Sequence, residues 1–170
     1  MISKGILKVV LLSMLFCLMF SMTAFAGTKE ANIVPFLKAD HGTLSVNTKE
    51  MYYIDKDTVN DRKMIGIDVI LGLHLNETGV KFFKEECKLE KDPFVVAYAV
   101  KFRQDPESKK IYKKVVKERV YRSNDINDYL EIDGDTAYVE VSDNKFWLTI
   151  LDKVCSIAAD LEKQGKWIND

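Results

Sequence analysis

Met64-Ile65-Gly66-Ile67-Asp68-Val69-Ile70-Leu71-Gly72-Leu73-His74-Leu75 decides the fold class. Ile65, Ile67, Val69, Leu71, Leu73 and Leu75 fall on one side of this stretch. Gly66, Asp68, Gly72 and His74 share the other side with Met64 and Ile70. Side chains alternate between faces along a strand but recur every 3.6 residues along a helix, so this pattern predicts a long strand with one strongly apolar face. Its glycines mark bulges or places where another backbone comes close.

Downstream, Asn76-Glu77-Thr78-Gly79 reads as a turn and Val80 to Phe83 as the start of a returning strand. A polar stretch containing Cys87 then ends at Pro93. From Phe94 to Arg103 the alternation resumes. Phe94, Val96, Tyr98, Val100 and Phe102 line one side, with Val95, Ala97 and Ala99 on the other, before the hairpin loop Gln104 to Ser108. Residues 109–122 fit helical phase slightly better than strand phase. Their Val, Ile and Tyr content and the preceding hairpin loop favour a strand. After a polar turn at 123–128 and another at Asp133-Gly134-Asp135, residues 136–141 read as a short strand. Phe146, Ile150, Val154, Ile157, Ala158 and Leu161 then form the stripe of a terminal helix, capped by Ser142 or Asp143 and ended by Gly165.

Upstream, Tyr52-Tyr53-Ile54-Asp55 reads as a strand that stops at the polar turn Asp55-Lys56-Asp57. Residues 27–49 look loosely ordered, with one short strand near Gly42 to Val46. The expectation is a single α+β domain over residues 50–165. It would be an antiparallel sheet of about five strands with one C-terminal helix packed on one face.

The first 26 residues read as a signal peptide of bacterial type. Lys4 and Lys8 open it, Val9 to Phe20 is almost unbroken apolar sequence, and Ala24-Phe25-Ala26 presents small residues for cleavage between Ala26 and Gly27. The alternative is an uncleaved anchor, but Ser13, Ser21 and Thr23 dilute its apolar run. Export implies a secreted, periplasmic or surface location with no membrane span after processing. The leader contains two basic residues and no acidic ones, from totals of 25 and 26, so the remainder is mildly acidic. That balance gives no pull toward nucleic acid.

Cleavage leaves Cys87 and Cys155, and an even count in an exported chain favours a disulfide between them. Two buried thiols are the alternative. Without CxxC spacing, and with only His41 and His74 as imidazoles, no structural metal site and no cofactor are expected. Neither histidine lies in a hydrolase motif and GxSxG is missing, which points away from an enzyme. Asp55, Asp57 and Asp61, and the turns at 123–125 and 133–135, read as solvated turns rather than calcium loops, because EF-hand spacing is absent.

Lys109, Lys110, Lys113, Lys114, Lys117, Arg119 and Arg122 form a basic run, interleaved with Tyr112 and Tyr121 and interrupted in sign only by Glu118. Lys113, Lys114, Lys117, Arg119, Tyr112 and Tyr121 are therefore candidate contacts for a polyanion or for an acidic extracellular or envelope protein. The alternative is a solvated strand whose lysines discourage edge pairing.

Tyr52-Tyr53-Ile54-Asp55 followed by Thr58-Val59, then long alternating strands and a Trp-containing last helix with a cysteine, resembles the surface-adhesin protein E family of bacterial exported proteins. The resemblance covers about residues 50–160. It implies an antiparallel sheet with a C-terminal helix lying against it, tethered by a disulfide that Cys87 and Cys155 would supply. It also implies an exported, non-enzymatic binding domain of adhesin-like type. A small-ligand binder with a pocket between helix and sheet near Trp147 and Tyr98 is the alternative, and an exported hydrolase is the third reading.

Overall fold

The computed structural model describes residues 32–59, 62–123 and 125–166. The expected leader and its cleavage point at Ala26 and Gly27 lie outside them, as do Asp61 and Asn124. The described residues form seven strands and two helices. In order these are β1 (Ile33–Ala39), β2 (Gly42–Val59), β3 (Arg62–Leu75), α1 (Glu77–Glu86), β4 (Val95–Gln104), β5 (Ile111–Tyr121), β6 (Tyr129–Asp133), β7 (Val139–Glu140) and α2 (Lys145–Lys163). The strands make one antiparallel sheet in the order β1-β2-β3-β4-β5-β6, with β7 also on β5.

The α+β class and the C-terminal helix are as expected, but the sheet is larger. Residues 33–49, expected to be loosely ordered apart from a short strand near Gly42 to Val46, supply β1 and the first part of β2, which begins at that strand. The turn expected at Asp55-Lys56-Asp57 is a register shift inside β2, between Ile54 and Asp57. A bulge lets extra polar residues leave the ladder without ending the strand. Residues 109–122 do form a strand, with a further register shift opposite Ala99 and Val100.

The return strand expected at Val80 to Phe83 is part of α1. Asn76 caps this helix by accepting the Gly79 N–H at 2.9 Å, with Glu77 in the first turn and Lys84 in the last. Cap, end charges and the spacing of Val80, Phe83 and Cys87 outweigh the strand preference of the local apolar residues. The cap of α2 is Asn144, which accepts the Trp147 N–H at 3.2 Å. Ser142 instead accepts the Ile111 N–H at 3.0 Å and so ties the approach to α2 onto β5.

The decisive strand behaves as its alternation requires. Ile67, Val69, Leu71 and Leu73 join Val46, Val96, Val100, Phe102 and Val120 beneath α2, whose Ile150, Val154 and Ala158 are buried. Ile70, Val95, Ala97, Ala99 and Tyr121 form a smaller cluster on the opposite face. That face also carries Arg103, whose side chain is 1% exposed and which donates to Asp57 at 2.7 Å and Asp68 at 2.6 Å.

The two ends of the sheet are irregular. β6 pairs with residues 117–121 of β5 and β7 with residues 112–113. Between them the Asp135 N–H donates to the Val115 carbonyl at 2.7 Å, while its carboxylate accepts the Val115 N–H at 2.9 Å. Gly134 passes so close that an added Cβ would lie 2.0 Å from the Val115 carbonyl oxygen. At the other end, β1 is interrupted by a register shift between Pro35 and Leu37.

Candidate functional site

Where α2 begins, it stands off the sheet and leaves a cavity of about 320 Å³. Leu44, Leu71, Leu73 and Tyr98 form its floor, Phe83 comes from α1, and Phe146, Trp147 and Ile150 come from α2. Ala39, Asp40 and His41 of the β1–β2 turn close one end. The rim is aromatic. His41 stacks on Phe82 at 4.5 Å, and Phe82 and Phe146 are 42% and 48% exposed. Phe146 was placed in the buried stripe by its helical spacing. In the structure Trp147 takes that role, packing on Phe102 at 6.1 Å, and Phe146 turns to the rim.

Tyr98 lines the cavity, and Glu118, outside that lining, stands next to it on the neighbouring strand. Tyr98 faces Glu118 directly across the β4–β5 ladder, on the same face as the Val96–Val120 pair, so both point toward α2. Neither the Tyr98 hydroxyl nor the Glu118 carboxylate has a hydrogen-bond or ion-pair partner among the described residues. Burial raises the Glu118 carboxyl above its ordinary range. Burial, with the Glu118 charge, raises the Tyr98 phenol, and the same two causes raise the Cys87 thiol at the end of α1.

The other charged side chains of β5 named as contacts are engaged within the molecule. Lys113 pairs with Asp135 at 2.6 Å and sits over the Trp147 ring, Lys117 and Arg119 share Glu131, and Lys114 donates to the Thr136 carbonyl. Arg119 also lies 4.5 Å over the Tyr129 ring. Lys110 and Arg122 pair with Glu140 and Asp128. Tyr121 is fully buried, and Tyr112 lies on the same face, opposite Arg103. Of the six proposed contacts, Lys113 lies on the α2 side and the other five share the opposite face, where Tyr121 is buried and the cations are engaged within the molecule. The acidic segment that follows neutralises most of the positive charge of the strand.

Cys87 and Cys155 are both free thiols, which overturns the expected disulfide. Cys87 lies beside Glu118 on β5, whereas Cys155 lies beside Tyr53 on β2 and lines a second cavity of about 300 Å³ with Ile67, Phe102 and Leu151. Three strand spacings separate β2 from β5, roughly 14 Å, twice the reach of a disulfide. Among the described residues, no three His, Cys, Asp or Glu side chains gather as a metal site, and no helix is long and apolar enough to cross a membrane.

No family model, curated protein or solved structure matches this chain.

Glu118 escaped notice in the sequence except as a break in sign. Its signal was a carboxylate in the same alternation phase as Val120. The group gives a pH-dependent prediction. A carboxyl raised on folding contributes stability that is fully present below its unfolded pKa and is lost as pH rises through the folded one. Glu118→Gln is therefore expected to be more stable than the parent at pH 7, with the gain disappearing near pH 4. Urea denaturation at both pH values checks this, and a gain of equal size at the two would contradict it. The opposite sign holds for Asp105, brought down to about 2 by its hydrogen bonds from Ser108 and Glu107, and for Glu131, lowered chiefly by Lys117. Their contributions are present above the ordinary carboxylate range and are lost as pH falls through the lowered values.

Proposed function

We propose that this chain is an exported, non-enzymatic binding domain that takes a small, largely apolar molecule into the cavity between α2, α1 and the sheet. The observation that carries this reading is the cavity itself. It is about 320 Å³ in volume, has apolar walls and is rimmed by exposed aromatic side chains. Ligand sites have this size and composition, with a few placed polar groups. Export rests on the leader at residues 1–26. Kinship with the surface-adhesin protein E family rests on Tyr52 to Asp55 with Thr58-Val59 and the helix-on-sheet arrangement.

Adhesin-like capture of a polyanion or acidic envelope protein by β5 has less support, since its cations are matched by Asp128, Glu131, Asp135 and Glu140. Calorimetric titration with 1-octanol tests the cavity. Saturable binding is expected, with loss on Ile150→Trp, which fills the space. A parallel heparin column at low salt is expected to show no retention. Absence of any octanol binding together with salt-sensitive retention, lost on Lys113→Glu with Lys117→Glu, would reverse the choice.

A further inference from the structure

Given the cavity as the binding site, we propose that its ligand is a small amphipathic cation, an apolar body carrying one protonated amine, with the amine held by Glu118 and Tyr98. This extends the reading above and rests on it.

The argument starts from an imbalance. Along β5 and the residues that flank it, Lys110, Lys113, Lys117, Arg119 and Arg122 each have an acidic partner, yet the one carboxylate of the strand, Glu118, has none among the described residues. Glu118 is half-buried between Tyr98 on β4 and Ile132 on β6, on the face that α2 covers. An ionised carboxylate in apolar surroundings is costly unless a cation or hydrogen-bond donors meet it. Beside it the Tyr98 hydroxyl is also without a partner, and the Tyr98 ring belongs to the cavity floor. Glu118 thus stands one strand beyond the cavity floor, next to the floor residue that carries a hydroxyl.

The surroundings agree in sign. Asp40 stands at the far end and Glu86 lies near Cys87, while Lys113, over the Trp147 ring, is bound to Asp135. The faces of Tyr98 and Trp147 add the attraction of an aromatic ring for a cation. A protonated amine would donate to Glu118 and Tyr98 at once, and its chain would cover Leu71, Leu73 and Ile150. The amino end of α2 favours an anion instead, so the sign of the ligand is open to a direct contest.

The contest uses three probes of equal chain length, octylamine, 1-octanol and octanoate, titrated into the full mature chain by calorimetry at pH 7. Octylamine is expected to bind about tenfold more tightly than octanol, the size of one charge-assisted hydrogen bond, and octanoate more weakly than either. Glu118→Gln should bring octylamine to within about twofold of octanol and leave octanol unchanged. Tyr98→Phe should narrow the gap without closing it. If octanol binds and octylamine shows no advantage, or if the advantage survives Glu118→Gln, the cationic assignment falls while the cavity stands. If no probe binds the parent protein, the cavity reading falls and takes this one with it. Unchanged thermal unfolding of Tyr98→Phe and undiminished stability of Glu118→Gln establish that the losses are not losses of fold.

Discussion

Replacing Arg103 with alanine is expected to cost about 3–5 kcal/mol of stability, the usual result of removing one partner from a buried ion pair. The guanidinium is 1% exposed and holds three acceptors, Asp57, Asp68 and the Phe102 carbonyl. Tyr138 lies 5.9 Å from it, ring to cation. Without Arg103, Asp68 retains Lys101 at 3.5 Å, and Asp57 loses its ionic partner. Although burial works against it, the hydrogen bond and charge of Arg103 keep Asp57 below the ordinary carboxylate range. Asp57 therefore contributes stability above that range and loses it as pH falls through its lowered pKa, a dependence the alanine variant should lack. Urea denaturation measures both effects. The paired change Arg103→Met with Asp68→Leu should cost far less than Arg103→Ala, because well-packed apolar groups can replace a buried ion pair at little net cost. A loss below about 1 kcal/mol for Arg103→Ala would remove the network from the account of stability.

The second large effect belongs to Gly66. A Cβ there would lie 1.9 Å from the Phe102 carbonyl oxygen and 3.0 Å from its carbonyl carbon. Those atoms are backbone in the partner strand, so no side chain can swing away. Gly66→Ala must push β3 from β4 at the centre of the sheet, where Ile67 pairs with Phe102. A loss of about 3 kcal/mol is expected, at the upper end for overpacking. Calorimetric melting compares it with Gly165→Ala, where nothing lies within 4 Å of the added atom. Gly165 has φ +65, so its loss reports backbone strain alone. The Gly66 variant should lose more; equal losses would mean the sheet opens without penalty.

The legible part of the fold was the part written in long-range periodicity. Met64 to Leu75 and Phe94 to Arg103 declared their strands because one buried face repeats at every second residue. Their alternation also placed Phe102 and Arg103 on opposite faces. β1 and the length of β2 beyond the expected short strand near Gly42 to Val46 were obscured, because Pro35 looks like a loop residue and Asp55-Lys56-Asp57 like a turn, and only pairing with β2 and β3 extends them. α1 was missed because its apolar residues are few and an Asn-Glu-Thr-Gly start serves turn and helix cap equally well. For the cavity, Trp147 and Tyr98 were legible as neighbours of the helix–sheet interface. Glu118 and the pairing of the basic run were not. Which acid meets Lys113 or Arg119 depends on how residues 128–140 return along β5, a tertiary outcome with no local signature.

That return has a further consequence for how the molecule behaves among its own copies. On one margin the sheet ends in two brief strands separated by Asp135, which has already spent its own amide and carboxylate on Val115. On the other, Pro35 lacks a donor and the chain slips register beside it. Among the described residues, neither flank offers a visiting chain a straight row of free amides to zip onto, a feature that discourages edge-to-edge pairing.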